Sequence, residues 1–184
     1  MAMNRAVFLD RDGTINEESG YLYKIEDCRF IPDAIAAIAQ LKAAGFLVVI
    51  VTNQSGIARG YYTVDDLSRL HQYMEREIVD GGGKVDGWYF CPHHPDFADD
   101  CDCRKPFPGM LRTAADELQI DLGSSWMIGD KIADVEAGLA SGCQTALVRT
   151  GYGRSEEALL SAQIPVFDDL SSAVKFITNA DSKG

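Results

Sequence analysis

Two carboxylates stand one residue apart where an apolar run ends, in Val7-Phe8-Leu9-Asp10-Arg11-Asp12-Gly13-Thr14. Acids this close repel unless a hard cation sits between them or one carries a proton, so the spacing suits Mg²⁺, two different protonation states, or both. The competing reading is a capped turn, since Asp and Gly are ordinary turn residues. Three more segments carry polar chemistry. Leu47 to Val51 runs into Thr52-Asn53-Gln54-Ser55-Gly56, a set of hydroxyls and amides able to bond phosphate oxygens or simply to cap a turn. Trp126-Met127-Ile128 runs into Gly129-Asp130-Lys131-Ile132-Ala133-Asp134. Asp130 is placed to complete a metal site; Asp134, one turn on, either supports that site or favours a helix N-terminus. Between them, Cys103-Arg104-Lys105-Pro106 supplies two cations that would neutralise a phosphoryl group. Solvated Arg-Lys pairs are commoner, but few are followed by Pro-Phe-Pro-Gly and a helix.

The cysteines point to a second metal. Cys91, His93, Cys101 and Cys103 offer four N/S ligands in two tight pairs, enough to close a tetrahedral, structural Zn²⁺ site with no open position. A redox pair at Cys101 and Cys103 is the alternative. His94 is a neighbour or surface residue in this reading, and Cys28 and Cys143 are buried apolar thiols.

These residues need a scaffold that delivers them to one place. Ala6 to Leu9 is too short and too uniformly apolar for an amphipathic helix and reads as a buried parallel strand. Further strands are expected at 47–52, 87–91, 126–129, 145–149 and 165–167, and helices at 33–44, 63–79, 108–118, 132–141 and 170–178. Thr63, with acids after it, caps the second helix. The alternation predicts an α/β fold, a doubly wound parallel sheet with helices on both faces, whose strand ends at the carboxyl edge bind ligands. No repeat, linker or low-complexity segment divides residues 1–184, so one domain is expected, with only 179–184 frayed.

Composition agrees. The 184 residues are 46% hydrophobic and 24% charged, an ordinary globular balance with enough chain for a good core. A net charge of −11 with no basic stripe argues against nucleic acid, leaving a small-molecule partner reached through a local positive pocket. No apolar run is long enough for a bilayer and the N-terminus lacks a signal-peptide h-region, so no membrane partner and a cytoplasmic location with reduced thiols are expected. A monomer is the default.

Asp10-x-Asp12-Gly13-Thr14, Thr52, Lys105 and Gly129-Asp130-x-x-x-Asp134 match, in order and spacing, the four motifs of the haloacid dehalogenase superfamily of phosphatases, and the chain resembles that superfamily over most of its length. Asp-Arg-Asp-Gly-Thr-Ile-Asn, Thr-Asn-Gln-Ser-Gly-Ile-Ala-Arg-Gly, Cys-Pro-His-His-Pro and Cys-Asp-Cys-Arg-Lys-Pro resemble its sugar bisphosphate branch, acting on heptose 1,7-bisphosphate. That resemblance implies a Rossmann-like fold without a large cap domain, in keeping with the short 13–33 and 56–63 connections, and a zinc loop at 91–103 holding the four ligands named above. It implies Asp10 as nucleophile, Asp12 as acid and base, and Thr52 and Lys105 on the phosphoryl oxygens. Mg²⁺ would be held by the Asp10 carboxylate, the Asp12 backbone carbonyl and Asp130. Glu18, Ser19, Gly20, Tyr21, Asn53, Gln54, Ser55, Arg104 and Lys131 are the expected substrate contacts. The implied product would serve nucleotide-activated heptose synthesis for lipopolysaccharide core or related glycoconjugates. Alternatives are a histidinol-phosphate phosphatase, an inactive zinc-stabilised binding protein, and a nucleic-acid end phosphatase, which the acidic balance disfavours.

Overall fold

The computed structural model describes residues 3–97, 101–161 and 163–181. Six parallel strands, β1 (Ala6–Leu9), β2 (Leu47–Asn53), β3 (Gly87–Cys91), β4 (Trp126–Gly129), β5 (Gln144–Val148) and β6 (Val166–Phe167), form one sheet in the order β3-β2-β1-β4-β5-β6. Between and after them come α1 (Ala34–Ala43), α2 (Val64–Asp80), α3 (Gly109–Leu118), α4 (Ile132–Ser141), the one-turn α5 (Gly153–Glu156) and α6 (Leu170–Asp181). This is the expected doubly wound α/β architecture. The short α5 and three 3₁₀ turns carry no apolar periodicity long enough to read. Helix α6 continues through Asn179–Asp181, where fraying was expected; residues 182–184 lie outside the described residues.

Why β1 is uninterruptedly apolar is clear from its surroundings. Val7 and Leu9 pack into one core with α1, α2 and α6, whereas Ala6 and Phe8 pack into a second core with α3 and α4, and all four are fully buried. A strand covered on both faces has no polar side to alternate with. Helix α2 begins at the expected cap: Thr63 accepts from the Asp66 amide while Asp66 accepts from the Thr63 amide, and Leu67, Leu70, Met74 and Ile78 form its buried stripe. Among the described residues no helix is long and apolar enough to cross a membrane.

Register brings the chemistry together. Leu9 pairs with Ile50 on one side and Ile128 on the other, and the Asp10 amide donates to the Ile128 carbonyl at 2.9 Å. Asp10, Thr52 and Asp130 therefore leave adjacent strands at one edge, at β1, where the strand order reverses.

Helix α4 lies close on the sheet because Gly138 faces it: a Cβ there would stand 2.4 Å from Thr145 Cγ2 and 2.7 Å from Met127 Cβ. Helix propensity alone favours Gly138→Ala by about 1 kcal/mol. The contact reverses that sign, with a net loss of about 1–3 kcal/mol expected in urea unfolding. A stabilised variant would show that α4 can lift without cost.

Candidate active site

At the bottom of the cleft one ammonium group joins two acids. Lys105 Nζ lies 2.7 Å from Asp10 Oδ1 and 2.7 Å from Asp134 Oδ1, and donates to the Val51 carbonyl at 2.7 Å, with all three side chains almost fully buried. Its three protons thus have three acceptors. Burial works against the charged lysine, but Asp10 and Asp134 outweigh it and raise its pKa. For Asp10, burial and then Asp134 push the carboxyl up to about 6 despite Lys105. Asp134 also accepts from the Lys131 amide at 3.0 Å, so it both caps α4 and anchors the lysine. Of the two alternatives weighed for Asp134 from sequence, the helix N-terminal one is seen directly.

Asp130 sits in a cradle made by backbone. Its Oδ2 accepts from the Tyr152 amide at 2.8 Å, and a Cβ on Gly13 or Gly151 would fall 2.2 or 2.1 Å from that oxygen. Both glycines also have positive φ, +83° and +56°, where side chains are strained. Thr150 Oγ1 ties the two loops by donating to the Gly13 carbonyl at 2.6 Å. The other Asp130 oxygen is buried without a partner. Burial, then Asp10 and Asp134, push this acid up to about 8. One oxygen each of Asp10, Asp130 and Asp134 lie within 4.8 Å of one another. Three buried acids, two of them on one lysine and the third with an orphaned oxygen, fit a hard dication. The third carboxylate of this cluster is Asp134; Asp12 was expected to contribute only its backbone carbonyl.

The Asp12 carboxylate is engaged elsewhere. Arg11 Nη2 donates to both its oxygens at 2.9 Å, Asn16 donates at 2.9 Å and Gln54 Nε2 at 3.0 Å. Burial would raise this acid, but the Arg11 charge and these hydrogen bonds outweigh it and hold it below the usual carboxylate range. Arg11 is fully buried, donating also to the Leu22 carbonyl and to His71 Nε2 at 3.1 Å. Guanidinium can only donate, so His71 accepts as a neutral ring. Burial, reinforced by Arg11, drops its pKa to about 3.

The second cluster is as expected from the cysteine spacing. Cys91 Sγ lies 3.7 Å from Cys101 Sγ and 3.8 Å from His93 Nδ1, and Cys103 Sγ lies 3.4 Å from His93 Nδ1. A zinc tetrahedron with bonds of about 2.3 Å to sulfur has edges near ~3.8 Å, which most of these match. Cys91 and Cys103, at 2.7 Å, stand closer than such an edge. All five cysteines are free thiols. Residues 98–100 of the expected loop 91–103 lie outside the described residues. The loop leads straight into Lys105, whose amide donates to Asn53 Oδ1 and whose carbonyl accepts from Asn53 Nδ2, each at 3.0 Å. His94 bonds Arg59 at 3.0 Å, tying this loop to the 54–62 segment.

The cleft has a volume of about 360 Å³. Glu18, Gly20, Tyr21, Asn53, Gln54, Ser55, Arg104 and Lys131 all line it; Ser19 does not. Asn53 and Gln54 lend their amides to the protein itself, Asn53 to Lys105 and Gln54 to Asp12 and Thr52. Arg104 donates to the His93 carbonyl at 3.2 Å, and Lys131 pairs with Glu18 at 3.2 Å beneath the Tyr152 ring. Sequence reasoning missed Arg11, Tyr62, His71, Thr150, Gly151 and Tyr152. A glycine three places after β5 was the one available signal, and it resembles any turn.

The buried His71 makes a measurable demand on pH. Its folded pKa lies below the unfolded value of 6.5, so its neutral form contributes stability that is complete above about pH 6.5 and is lost as the pH falls toward 3. Between pH 7 and pH 5 the wild type should lose about 2 kcal/mol more than His71→Gln, which still accepts from Arg11. Urea titrations at both pH values check this, and parallel pH dependence would contradict it.

The HAD-hydrolase-like family model matches residues 102–173. A D-glycero-beta-D-manno-heptose-1,7-bisphosphate 7-phosphatase of Yersinia pestis is 47% identical over 92% of this chain and 95% of its own. The enzyme of the same name from Pasteurella multocida is 44% identical over 98% and 100%. Among solved structures, a D,D-heptose 1,7-bisphosphate phosphatase from B. bronchiseptica complexed with magnesium and phosphate superimposes with a TM-score of 0.89 at 37% identity, covering 96% of this chain and 99% of that one. Sharing this much sequence over nearly its whole length, the chain belongs to the D-glycero-beta-D-manno-heptose-1,7-bisphosphate 7-phosphatase family of haloacid dehalogenase-like hydrolases.

Proposed function

We propose that the protein removes the 7-phosphate of D-glycero-D-manno-heptose 1,7-bisphosphate, leaving heptose 1-phosphate for nucleotide-activated heptose and lipopolysaccharide core or related glycoconjugates. The observation that carries this reading is the convergence of Asp10, Lys105 and Asp130 at one sheet edge in a chain of this family. Asp10 attacks phosphorus as the bond to the sugar oxygen breaks, and Asp12, which must first take up a proton against the hold of Arg11 as the negatively charged ester arrives beside it, gives that oxygen the proton. Asp12 then takes a proton from the water that splits the aspartyl-phosphate, restoring Asp10. Thr52 and Lys105 hold phosphoryl oxygens, Lys105 with the proton it otherwise gives Asp10, while Glu18, Gly20, Tyr21, Ser55, Arg104 and Lys131 surround the sugar and its second phosphate. Asp10, Asp130 and the Asp12 carbonyl hold Mg²⁺, with Asp134 beside them; when bound, the ion neutralises charge on the transferring phosphoryl group.

Cys91, His93, Cys101 and Cys103 hold a structural Zn²⁺ that keeps Arg104 and Lys105 in place. Thiols used in this way suit a reducing compartment, which supports the cytoplasm. A single-domain monomer is the proposed working unit, since the groups invoked gather at the carboxyl edge of one sheet and in the loops beside it.

Phosphate release is measured with both anomers of the heptose bisphosphate, fructose 1,6-bisphosphate and histidinol phosphate, with Mg²⁺ or EDTA. A Mg²⁺-dependent heptose preference is expected, falling by at least ~10³ in Asp10→Asn, in protein carrying about one zinc per chain by elemental analysis. Preference for histidinol phosphate would move the assignment, and no release from any ester would overturn it.

A further inference from the structure

Gln54 occupies a position no substrate contact requires. Its carboxamide is 3% exposed and fully committed. One Nε2 proton goes to Asp12 Oδ2 at 3.0 Å, the other to Thr52 Oγ1 at 2.8 Å, and Oε1 accepts from the Tyr62 hydroxyl at 2.5 Å. An amide turned over would point its oxygen at a carboxylate and its NH₂ at a hydroxyl already facing it. The Asp12 carboxylate, which can only accept, therefore sets the orientation, and the Tyr62 proton on Oε1 holds it.

The Tyr62 ring is itself held. It is 5% exposed, stacks on Tyr23 at 5.2 Å, and covers Gly56, where a Cβ would fall 2.1 Å from the ring. Burial raises the phenol to about 12, so it keeps the proton it donates.

The consequence concerns a proton on Thr52. A hydroxyl has one donor and two acceptor directions. With Gln54 filling one acceptor direction, the Thr52 O–H is turned away from Gln54 and left free for the cleft that Thr52 and Asp10 both line. We infer that Gln54, locked by Tyr62, is a positioning residue for the phosphatase reaction: one carboxamide holds the Asp12 carboxylate and turns the Thr52 hydroxyl proton toward the phosphoryl group on Asp10. This assignment rests on the reading under Proposed function and replaces the substrate contact expected for Gln54. Its effect falls on groups that act in the transition state, so it belongs to kcat.

The test compares Tyr62→Phe, Gln54→Leu and the double variant on the heptose bisphosphate and, in parallel, on 4-nitrophenyl phosphate. Tyr62→Phe keeps the ring packing and loses one hydrogen bond, so kcat should fall about 5- to 30-fold with KM changed less than about twofold. Gln54→Leu should lose more, and adding Tyr62→Phe to it should cost nothing further, because the hydroxyl acts only through the amide. A full kcat in Tyr62→Phe, a loss confined to KM, or losses that multiply in the double variant would each overturn the inference. A second readout needs no turnover: in ¹⁵N-glutamine-labelled protein the Gln54 side-chain NH₂ should exchange slowly with solvent, unlike that of exposed Gln72, and should lose protection in Tyr62→Phe. Exchange as fast as Gln72 in the wild type would overturn the geometry. Wild-type hydrolysis of the aryl ester but not the heptose ester would sink the substrate reading alone, with the variants then read on the aryl ester.

Discussion

A single buried ammonium group, Lys105 Nζ, holds the centre of this protein together. It draws Asp10 from the first strand, Asp134 from the fourth helix and the Val51 carbonyl from the second strand to one point. Burying such an ion unpaired would cost on the order of several kcal/mol, so the lysine and its acids depend on one another. Much else in the fold serves that arrangement. Strand register brings Asp10 beside Asp130, the Asn53 amide grips the Lys105 backbone on both sides, and the cysteine loop ends next to the lysine. Yet a third carboxylate, Asp130, brings an oxygen within 4.8 Å of theirs and keeps one of its own oxygens without a partner. Buried oxygens converging in this way suit a hard cation.

Two acids in one turn are driven in opposite directions. Asp10 is pushed up by burial and by Asp134, whereas Asp12 is held down by Arg11 and the Asn16 and Gln54 amides despite burial. Sequence spacing allowed for this split without saying which acid would take which state. The difference comes from Arg11, a buried guanidinium satisfied by Asp12, Leu22 and His71. A neutral His71 completes that set, linking the long second helix to the catalytic turn.

What was legible in the sequence were the elements whose signal is local. Ala6 to Leu9 reads as a strand covered on both faces because it has no polar residue, and Thr63 with Asp66 reads as a cap because both groups lie within one turn. The carboxylates and thiols stood out because their types are chemically specific and their pairs are close in the chain. Less visible were contacts between distant segments. Nothing around Gly151 in sequence says that it makes room for Asp130, and nothing at Tyr62 says that its hydroxyl fixes an amide eight residues earlier. Asn53 and Gln54 were read as ligand groups because their amides sit at a strand end; the fold spends those amides on Lys105, Asp12 and Thr52. Ser19 fell outside the cleft for a related reason, since a loop's chemistry does not reveal its direction.

The central claim, an acid cluster poised for a dication, is tested most directly by titrating Mg²⁺ calorimetrically into the protein near pH 7 in buffers of different ionisation enthalpy. Asp130, raised to about 8, is mostly protonated there, so ion binding should release about one proton per Mg²⁺, and the release should vanish in Asp130→Asn. Binding with no proton release, or release that persists without Asp130, would contradict the account.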